Sequence, residues 1–202
     1  ILIEDASEAL GTFYKKKHAG TFGDCGVLSF NGNKIITTGG GGALITNSKK
    51  IYLKARHLAT VAKLEKNNFS YHNNLGFNYR MPSLNAALGI SQLKKIQFIK
   101  KQKYINYLKY KKEFSNNNFF DLVNNNNFSE DNNYWLNYII FKKKKLLNKK
   151  FFNFFKNKKI EIRRIWSLNN SGKLYRKYPK MDLAISKDLE KKIICLPSGV
   201  FK

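Results

Sequence analysis

The first half of the chain alternates short apolar segments with loops rich in glycine and polar residues. Residues 1–5 open with three apolar side chains and end in two acidic ones, which predicts a buried strand with an acidic carboxyl end. Pro82 predicts the start of a helix, because proline fits the first helical turn. In this half the pattern predicts strands over residues 1–3, 26–30 and 42–46, a helical turn over 6–10, a hairpin over 12–21, and helices over 49–63 and 82–112.

The second half has a different character, with aromatic residues and lysine in place of glycine. Asparagine-rich stretches at residues 115–118 and 124–127 indicate loops and mark a boundary. The pattern predicts strands over residues 134–141, 160–166 and 193–196, and helices over 144–157 and 188–192. We therefore expect two domains, one over residues 1–112 and a small α+β domain over residues 113–202.

The composition favours a folded protein without a nucleic-acid or membrane partner. Hydrophobic residues make up 43% of the chain, which is enough for a packed core. No apolar run approaches the roughly 18 residues that a membrane span needs. The net charge is +25, but only five of the 38 basic residues are arginine, the residue that phosphate and base recognition favours. Lysine is spread through the chain beside abundant asparagine, which indicates compositional drift rather than a binding surface.

The cysteines indicate the cellular compartment of the protein, and the first residues indicate whether the chain is a fragment. Cys25 and Cys195 lie far apart and form no disulfide framework, and no spacing of cysteine and histidine resembles a metal site. We therefore predict no metal and a reducing, cytoplasmic setting. Residues 1–5 resemble a strand rather than a signal peptide, so we expect that the chain starts inside a fold and is a fragment.

Several short motifs carry candidate chemistry, and each has a purely structural alternative. Asp5 follows a strand, at the edge where open α/β sheets bind ligands, although such a residue also serves as a helix cap. Lys34 follows the strand at 26–30 and precedes four glycines, which let the backbone approach a ligand, although a surface lysine fits there too. Asn78 lies in an aromatic turn before the helix at Pro82, and the segment ICLPSG near the end of the chain predicts a turn.

Together these segments resemble the DegT/DnrJ/EryC1/StrS family of sugar aminotransferases. The matching segments, in order, are IEDASEALG, GTFGDCGVLSFNGNKIITTGGGGALIT, GFNYRMPSLNAALGISQL, IEIRRIWSLNN and ICLPSG. The resemblance implies an α/β enzyme of the PLP-dependent transferase fold type I, like aspartate aminotransferase, with pyridoxal 5'-phosphate (PLP) as the cofactor. The chain would then hold a partial large domain and a small C-terminal α+β domain that lacks its last helix.

The resemblance also implies roles for five residues of a cofactor site. Lys34 would bond covalently to PLP and then serve as the general acid and base. Asp5 would keep the ring nitrogen protonated, and Glu8 would reach the side of the ring oxygen. Ser29 would bind the cofactor phosphate, and Asn78 would reach the same phosphate from the neighbouring subunit of a homodimer.

The reaction that the resemblance implies is amino transfer, with glutamate as the donor, to a nucleotide-linked keto-sugar for cell-surface glycan or nonulosonic acid biosynthesis. Sugar dehydratases of the same fold have histidine in place of the lysine, so Lys34 favours a transaminase. Family members are longer on the N-terminal side, so we expect this chain by itself to lack a complete cofactor site and to be inactive. The alternatives are a truncated relic or regulatory paralogue without activity and a basic nucleic-acid-binding protein.

Overall fold

The computed structural model describes residues 1–123, 131–143 and 147–200, and these form two compact units. The first unit holds residues 1–101 and 131–135, and the second holds residues 102–123, 136–143 and 147–200. The division falls between residues 101 and 102, whereas the predicted domain boundary follows residue 112. The predicted loop at 124–127 and the first three residues of the predicted helix over 144–157 lie outside the described residues.

The first unit contains a small sheet, two hairpins and two helices. Its strands are β1 (Ile3–Asp5), β2 (Phe13–Tyr14), β3 (Lys17–His18), β4 (Cys25–Ser29), β5 (Gly42–Ile45), β6 (Lys63–Lys66) and β7 (Phe69–His72). Its helices are α1 (Lys49–Ala59) and α2 (Ser83–Leu93), and α3 (Ile96–Glu113) begins in this unit and continues into the second. Strand β4 lies in the middle of the sheet, parallel to β1 and antiparallel to β5.

Strand β1 corrects one prediction about burial. Residues 1–3 were predicted to be a buried strand, but the strand spans Ile3–Asp5, and the side chain of Ile3 is 64% exposed. The reason is position, because β1 is an edge strand of a three-stranded sheet and pairs only with β4 among the described residues. Residues 6–10 form hydrogen-bonded turns rather than the predicted helical turn, with Ala9 donating to the carbonyl of Ala6 at 3.0 Å.

The region after α1 contains a hairpin that the sequence pattern did not predict. The helix was predicted to reach residue 63, but it ends at Ala59, where Thr60 forms the C-cap. Strands β6 and β7 follow, joined by Asn67 and Asn68. Both asparagines have positive φ values, 51° and 66°, and asparagine tolerates this left-handed conformation better than most residues. The Asn-Asn pair is therefore the sequence signal of this hairpin.

The predicted helix over 82–112 is two helices. The first ends at Leu93 and the second begins at Ile96, so Lys94 and Lys95 form the break. No helix of the described residues is long and apolar enough to cross a membrane.

The second unit contains a four-stranded antiparallel sheet and the helices around it. Its elements after α3 are β8 (Phe120–Leu122), β9 (Asn137–Phe141), α4 (Lys149–Asn157), β10 (Arg163–Arg164), a 3-10 helix (Asn169–Ser171), α5 (Ala184–Glu190) and β11 (Ile193–Leu196). The strand order is β10-β11-β9-β8. Ile139, Phe141, Leu147 and Ile194 form its core, and Phe151 of α4 packs on them. Helix α4 begins at Lys149 because the Asn148 side chain accepts a hydrogen bond from the Phe151 N–H at 3.1 Å.

The segment after β11, which contains the LPSG motif, is held within the second unit by polar contacts. The buried side chain of Lys103 donates to the carbonyl of Ser198 at 2.7 Å, and the hydroxyl of Tyr110 donates to the carbonyl of Pro197 at 2.9 Å. The Ser198 hydroxyl oxygen accepts from the Asn137 N–H at 2.7 Å. Burial lowers the pKa of Lys103. These contacts give the motif a structural role that its sequence did not reveal.

Candidate functional site

Lys34 lies in a loop that connects β4 to β5, and the loop is fixed on both sides of the lysine. At its base, Phe30 donates its N–H to the carbonyl of Gly41 at 2.9 Å and accepts from the Thr38 N–H at 3.0 Å. Ile35 and Ile36, directly after the lysine, are 5% and 2% exposed. The side chain of Lys34 is itself only 14% exposed. A lysine amine that is mostly shielded from water, on a loop anchored by buried residues, has the properties of a site residue rather than a solvated surface lysine.

The amine of Lys34 contacts two side chains from distant parts of the first unit. Its Nζ lies 3.0 Å from Oε1 of Glu8 and 4.4 Å from the centroid of the Trp135 ring. The indole N–H of Trp135 donates to the carbonyl of Asn33 at 2.7 Å. The amine therefore has a carboxylate acceptor and an aromatic face as neighbours.

Residues 131–135, called here the tryptophan segment, are bound to the turn that carries Glu8. The Asn133 amide donates to the carbonyls of Glu8 and Leu10 at 2.7 and 3.1 Å. Asp131 accepts from the nearly buried Lys100 ammonium at 2.7 Å, and the same ammonium donates to the carbonyl of Gly11 at 2.6 Å. These contacts hold Trp135 and Glu8 together beside the lysine.

Asp5 lies at the carboxyl end of β1, next to Val27 of β4 in the parallel register. Its Oδ1 accepts hydrogen bonds from the N–H and the hydroxyl of Ser7. The side-chain and backbone hydrogen bonds from Ser7 hold the pKa of Asp5 below its ordinary value; burial opposes them, and the positive charge of Lys34 adds a smaller lowering. The cap alternative is correct in part, since Asp5 closes a turn, but no helix follows. The arrangement keeps an anionic carboxylate at the sheet edge where Lys34 also lies.

The other two predicted site residues have contacts of their own. Ser29 ends β4, and its hydroxyl accepts from the Asn31 N–H at 3.5 Å. Asn78 forms an isolated antiparallel bridge with Thr60 at the end of α1, and the rings on either side of it, Phe77 and Tyr79, are stacked with centroids 5.0 Å apart. The described contacts thus join Lys34 to Glu8, and the charge of Lys34 contributes to the lowered pKa of Asp5, but no described contact joins Lys34 to Asn78.

Trp135 is the site residue that sequence reasoning missed. It lies 102 positions from Asn33, inside a segment whose pattern indicated only a strand over residues 134–141. The strand actually begins at Asn137. The nearby run of polar residues at 131–133 was a usable signal, because polar side chains directly before a strand often bind other parts of the backbone.

Comparison with known proteins identifies the family. The sequence profile of the DegT/DnrJ/EryC1/StrS aminotransferase family matches residues 1–200, so the chain belongs to this family, as the motifs predicted. GDP-perosamine synthase of Escherichia coli O157:H7 is 40% identical over 116 residues, which are 57% of this chain and 31% of that protein. UDP-4-amino-4,6-dideoxy-N-acetyl-beta-L-altrosamine transaminase of Campylobacter jejuni is 40% identical over 120 residues, which are 58% of this chain and 32% of that protein.

A solved structure shows the same fold. Helicobacter pylori PseC, an aminotransferase involved in the biosynthesis of pseudoaminic acid, superimposes with a TM-score of 0.87 and 28% sequence identity, over 96% of this chain and 53% of PseC. The predicted fold class is therefore confirmed: the chain has part of the fold of the PLP-dependent transferases of fold type I. It spans about half the length of PseC, and its aligned segments cover about a third of the curated relatives.

The described residues fit the cofactor that this family uses. PLP needs an amine to bond with, an anion for its ring nitrogen and donors for its phosphate. Lys34 supplies a shielded amine, and Asp5 supplies a carboxylate with a lowered pKa at the same sheet edge. The hydroxyl of Ser29 is available as a donor close to the lysine in sequence. The donor set is thus suited to PLP, and Lys34 is suited to both covalent bonding and proton transfer.

Proposed function

We propose that this chain is part of a PLP-dependent aminotransferase that transfers an amino group from glutamate to a nucleotide-linked keto-sugar. The observation that carries the proposal is the position of the Lys34 amine between Glu8 and Trp135, on a side chain that is only 14% exposed. The relatives support the choice of substrate, since one is a GDP-perosamine synthase and another acts as a UDP-amino-sugar transaminase by name. Cell-surface glycan or nonulosonic acid biosynthesis in the cytoplasm is the setting that we infer.

Each site residue has a role that its chemistry supports. PLP, when bound, supplies an electron sink for negative charge at the reacting carbon. Lys34 is the residue that would hold PLP covalently, and its Nζ would be the atom that takes up and returns a proton during amino transfer. Glu8, whose Oε1 lies 3.0 Å from Nζ, accepts a hydrogen bond from the lysine and so orients its side chain. Asp5 would keep the ring nitrogen of PLP protonated, because its own lowered pKa keeps the carboxylate anionic.

The phosphate contacts and the assembly complete the proposal. Ser29 donates to the cofactor phosphate within the same subunit. Asn78 donates to the phosphate of the neighbouring subunit in a homodimer, because an amide can bind an anion without adding charge. An isologous dimer of this kind builds two equivalent sites from shared parts.

The test of the proposed function is the location of the cofactor bond. The complete product of the natural gene is incubated with PLP, reduced with borohydride and digested, and the modified peptide is identified by mass spectrometry. We expect the adduct on Lys34, its loss in Lys34→Ala, and no change in Lys50→Ala, a matched exposed lysine on α1. An adduct on a different lysine in the wild-type protein contradicts the assignment.

The same preparation separates the alternatives. Transfer of ¹⁵N from labelled glutamate to a GDP- or UDP-linked 4-keto-6-deoxy sugar, followed by mass spectrometry of the sugar, is expected for the aminotransferase. A protein that forms the adduct but transfers no amino group to any nucleotide-linked keto-sugar would be the inactive relic or regulatory paralogue. A dehydratase is disfavoured because its family position holds histidine where this chain has Lys34.

A further inference from the structure

The Lys34 side chain is confined by a residue that has no assigned role. Trp135 covers it with its ring, 4.4 Å from Nζ to the ring centroid, and binds the preceding carbonyl of Asn33 through its indole N–H at 2.7 Å. We propose that Trp135 is a positioning residue that fixes the Lys34 amine for bonding to PLP. This proposal rests on the proposed function, in which Lys34 is the residue that bonds to the cofactor.

Trp135 is suited to this task because it is rigid and well anchored. Trp135 is only 7% exposed. Its side chain is stiffer than that of lysine, because tryptophan has two rotatable side-chain torsions and lysine has four. An indole ring is the aromatic face that attracts an ammonium most strongly. The hydrogen bond to Asn33 fixes the backbone next to the lysine, so a single side chain restrains both the loop and the amine that the loop carries.

Glu8 alone does not supply the same restraint. Its side chain is 47% exposed, and a carboxylate in that position forms an ion pair that water screens. The tryptophan segment also positions Glu8 itself, since the Asn133 amide donates to the Glu8 carbonyl at 2.7 Å. Trp135 and Glu8 therefore both contact the Lys34 amine, and the ring of Trp135 is the contact that shields the amine from water.

Two substitutions separate the ring from its N–H group. Trp135→Phe keeps an aromatic face and removes the hydrogen bond to Asn33, whereas Trp135→Leu removes both. Trp166→Leu is the matched control, because Trp166 is 60% exposed and belongs to the second unit. Far-UV circular dichroism of each variant establishes that it is folded.

The first readout needs no cofactor. Trace acetylation of the apoprotein with acetic anhydride, followed by peptide mass spectrometry, gives the labelling of Lys34 relative to the exposed Lys50. We expect Trp135→Leu to raise this ratio about threefold or more, because the amine loses the ring that covers it. Trp135→Phe should give a smaller rise, and Trp166→Leu should leave the ratio unchanged.

The second readout is the selectivity of PLP attachment. In a chain with many exposed lysines, an amine that is no longer fixed competes poorly, because positioning contributes to the rate of bond formation. We expect the fraction of borohydride-fixed PLP on Lys34 to fall about threefold or more in Trp135→Leu, with partial recovery in Trp135→Phe. General destabilisation would lower total attachment but would not redistribute it among lysines and then reverse with phenylalanine.

The outcomes divide clearly. A folded Trp135→Leu variant with wild-type acetylation and wild-type attachment overturns the proposal. If that variant does not fold, Trp135→Phe decides alone, and wild-type values for both readouts overturn the proposal. A wild-type protein that attaches no PLP to Lys34 contradicts the proposed function instead, while the acetylation arm still decides whether Trp135 covers the lysine.

Discussion

Ser7 donates two hydrogen bonds to a single oxygen of Asp5, from its backbone N–H at 3.1 Å and from its hydroxyl at 2.5 Å. These bonds are the main reason that the pKa of Asp5 lies below its ordinary value of 3.8, and the charge of Lys34 acts in the same direction. A turn of three residues thus prepares the carboxylate that the proposed site needs in its anionic form.

Replacing Ser7 should raise the pKa of Asp5. Ser7→Ala removes the hydroxyl donor, which is the largest cause of the lowering, whereas Ser7→Thr keeps it. A group whose pKa is lowered by folding stabilises the fold above its unfolded pKa, and this contribution disappears as the pH falls through the folded value. The stability difference between Ser7→Ala and wild type should therefore be present at neutral pH and vanish in acid. Carboxyl-carbon NMR titration of Asp5 measures the pKa directly, and an unchanged value in Ser7→Ala contradicts the account.

Replacing Asp5 should impair turnover far more than cofactor binding. Asp5→Asn substitutes a neutral amide that cannot hold a proton on the ring nitrogen, and electrostatic effects of this kind contribute about 10²–10⁴ in rate. Turnover and PLP affinity of the complete gene product are the two measurements, with Asp182→Asn, an exposed carboxylate of the second unit, as the control. A fall in turnover of less than tenfold would count against the role of Asp5.

Two inactive variants should complement each other if Asn78 acts across a dimer. Lys34→Ala and Asn78→Asp are each expected to inactivate the complete gene product. In a mixed dimer both lesions fall in one site and none in the other, so mixing should restore up to about half of the sites in each heterodimer. Recovery of activity after co-refolding is the measurement. If heterodimers form and no activity returns, Asn78 acts within its own subunit. For the 202-residue chain alone we expect no rescue.

Two glycines offer a matched test of backbone packing. A Cβ on Gly26 of β4 would lie 2.1 Å from the carbonyl oxygen of Gly20, so a side chain there must displace backbone. A Cβ on Gly32, in the loop between β4 and β5 that carries Lys34, would meet nothing within 4 Å. We expect Gly26→Ala to lower the free energy of unfolding by at least about 2 kcal/mol and Gly32→Ala to change it little. Urea denaturation measures both, and equal effects at the two positions contradict the explanation.

The nearly buried ammonium of Lys100 should be important for the tryptophan segment. Lys100→Met leaves the Gly11 carbonyl and the Asp131 carboxylate without this donor, and a lost hydrogen bond of a buried group costs about 1–3 kcal/mol. Because Asp131 is half exposed, we expect the lower part of this range. Thermal unfolding is the measurement, and the neighbouring exposed Lys101→Met is the control. Equal stability of the two variants would show that the ion pair contributes little.

Local sequence patterns predicted the parts of the fold that depend on local properties. Strand β11 has the predicted bounds, β5 ends one residue earlier than predicted, and β4 begins and ends one residue earlier than predicted. The hairpin β6–β7 was missed because a helix pattern was extended across Thr60 into it. The prediction that β1 is buried was wrong. An apolar sequence shows that a strand can be buried, but it does not show that another element packs against it.

For the site too, the sequence predicted what depends on local motifs and missed what depends on tertiary packing. Asp5, Glu8 and Lys34 lie in motifs that the family resemblance indicates, and their roles toward PLP stay predictions; the ion pair between Glu8 and Lys34 was not predicted. The roles of Ser29 and Asn78 stay predictions. Trp135 reaches Lys34 only through the tertiary arrangement of the tryptophan segment, which no periodicity in the sequence encodes.

The bond from Trp135 to Asn33 spans 102 positions of the chain, and this separation has a kinetic consequence. The turn at Asn31 that precedes the lysine closes through a neighbouring hydrogen bond and can form as soon as it leaves the ribosome. The Trp135 ring cannot cover the lysine until residue 135 has been synthesised. The intervening chain must also close into a long loop, which costs conformational entropy. During biosynthesis the lysine therefore passes through an interval in which its amine is uncovered, and the covering of the amine should be among the last events in the maturation of the first unit.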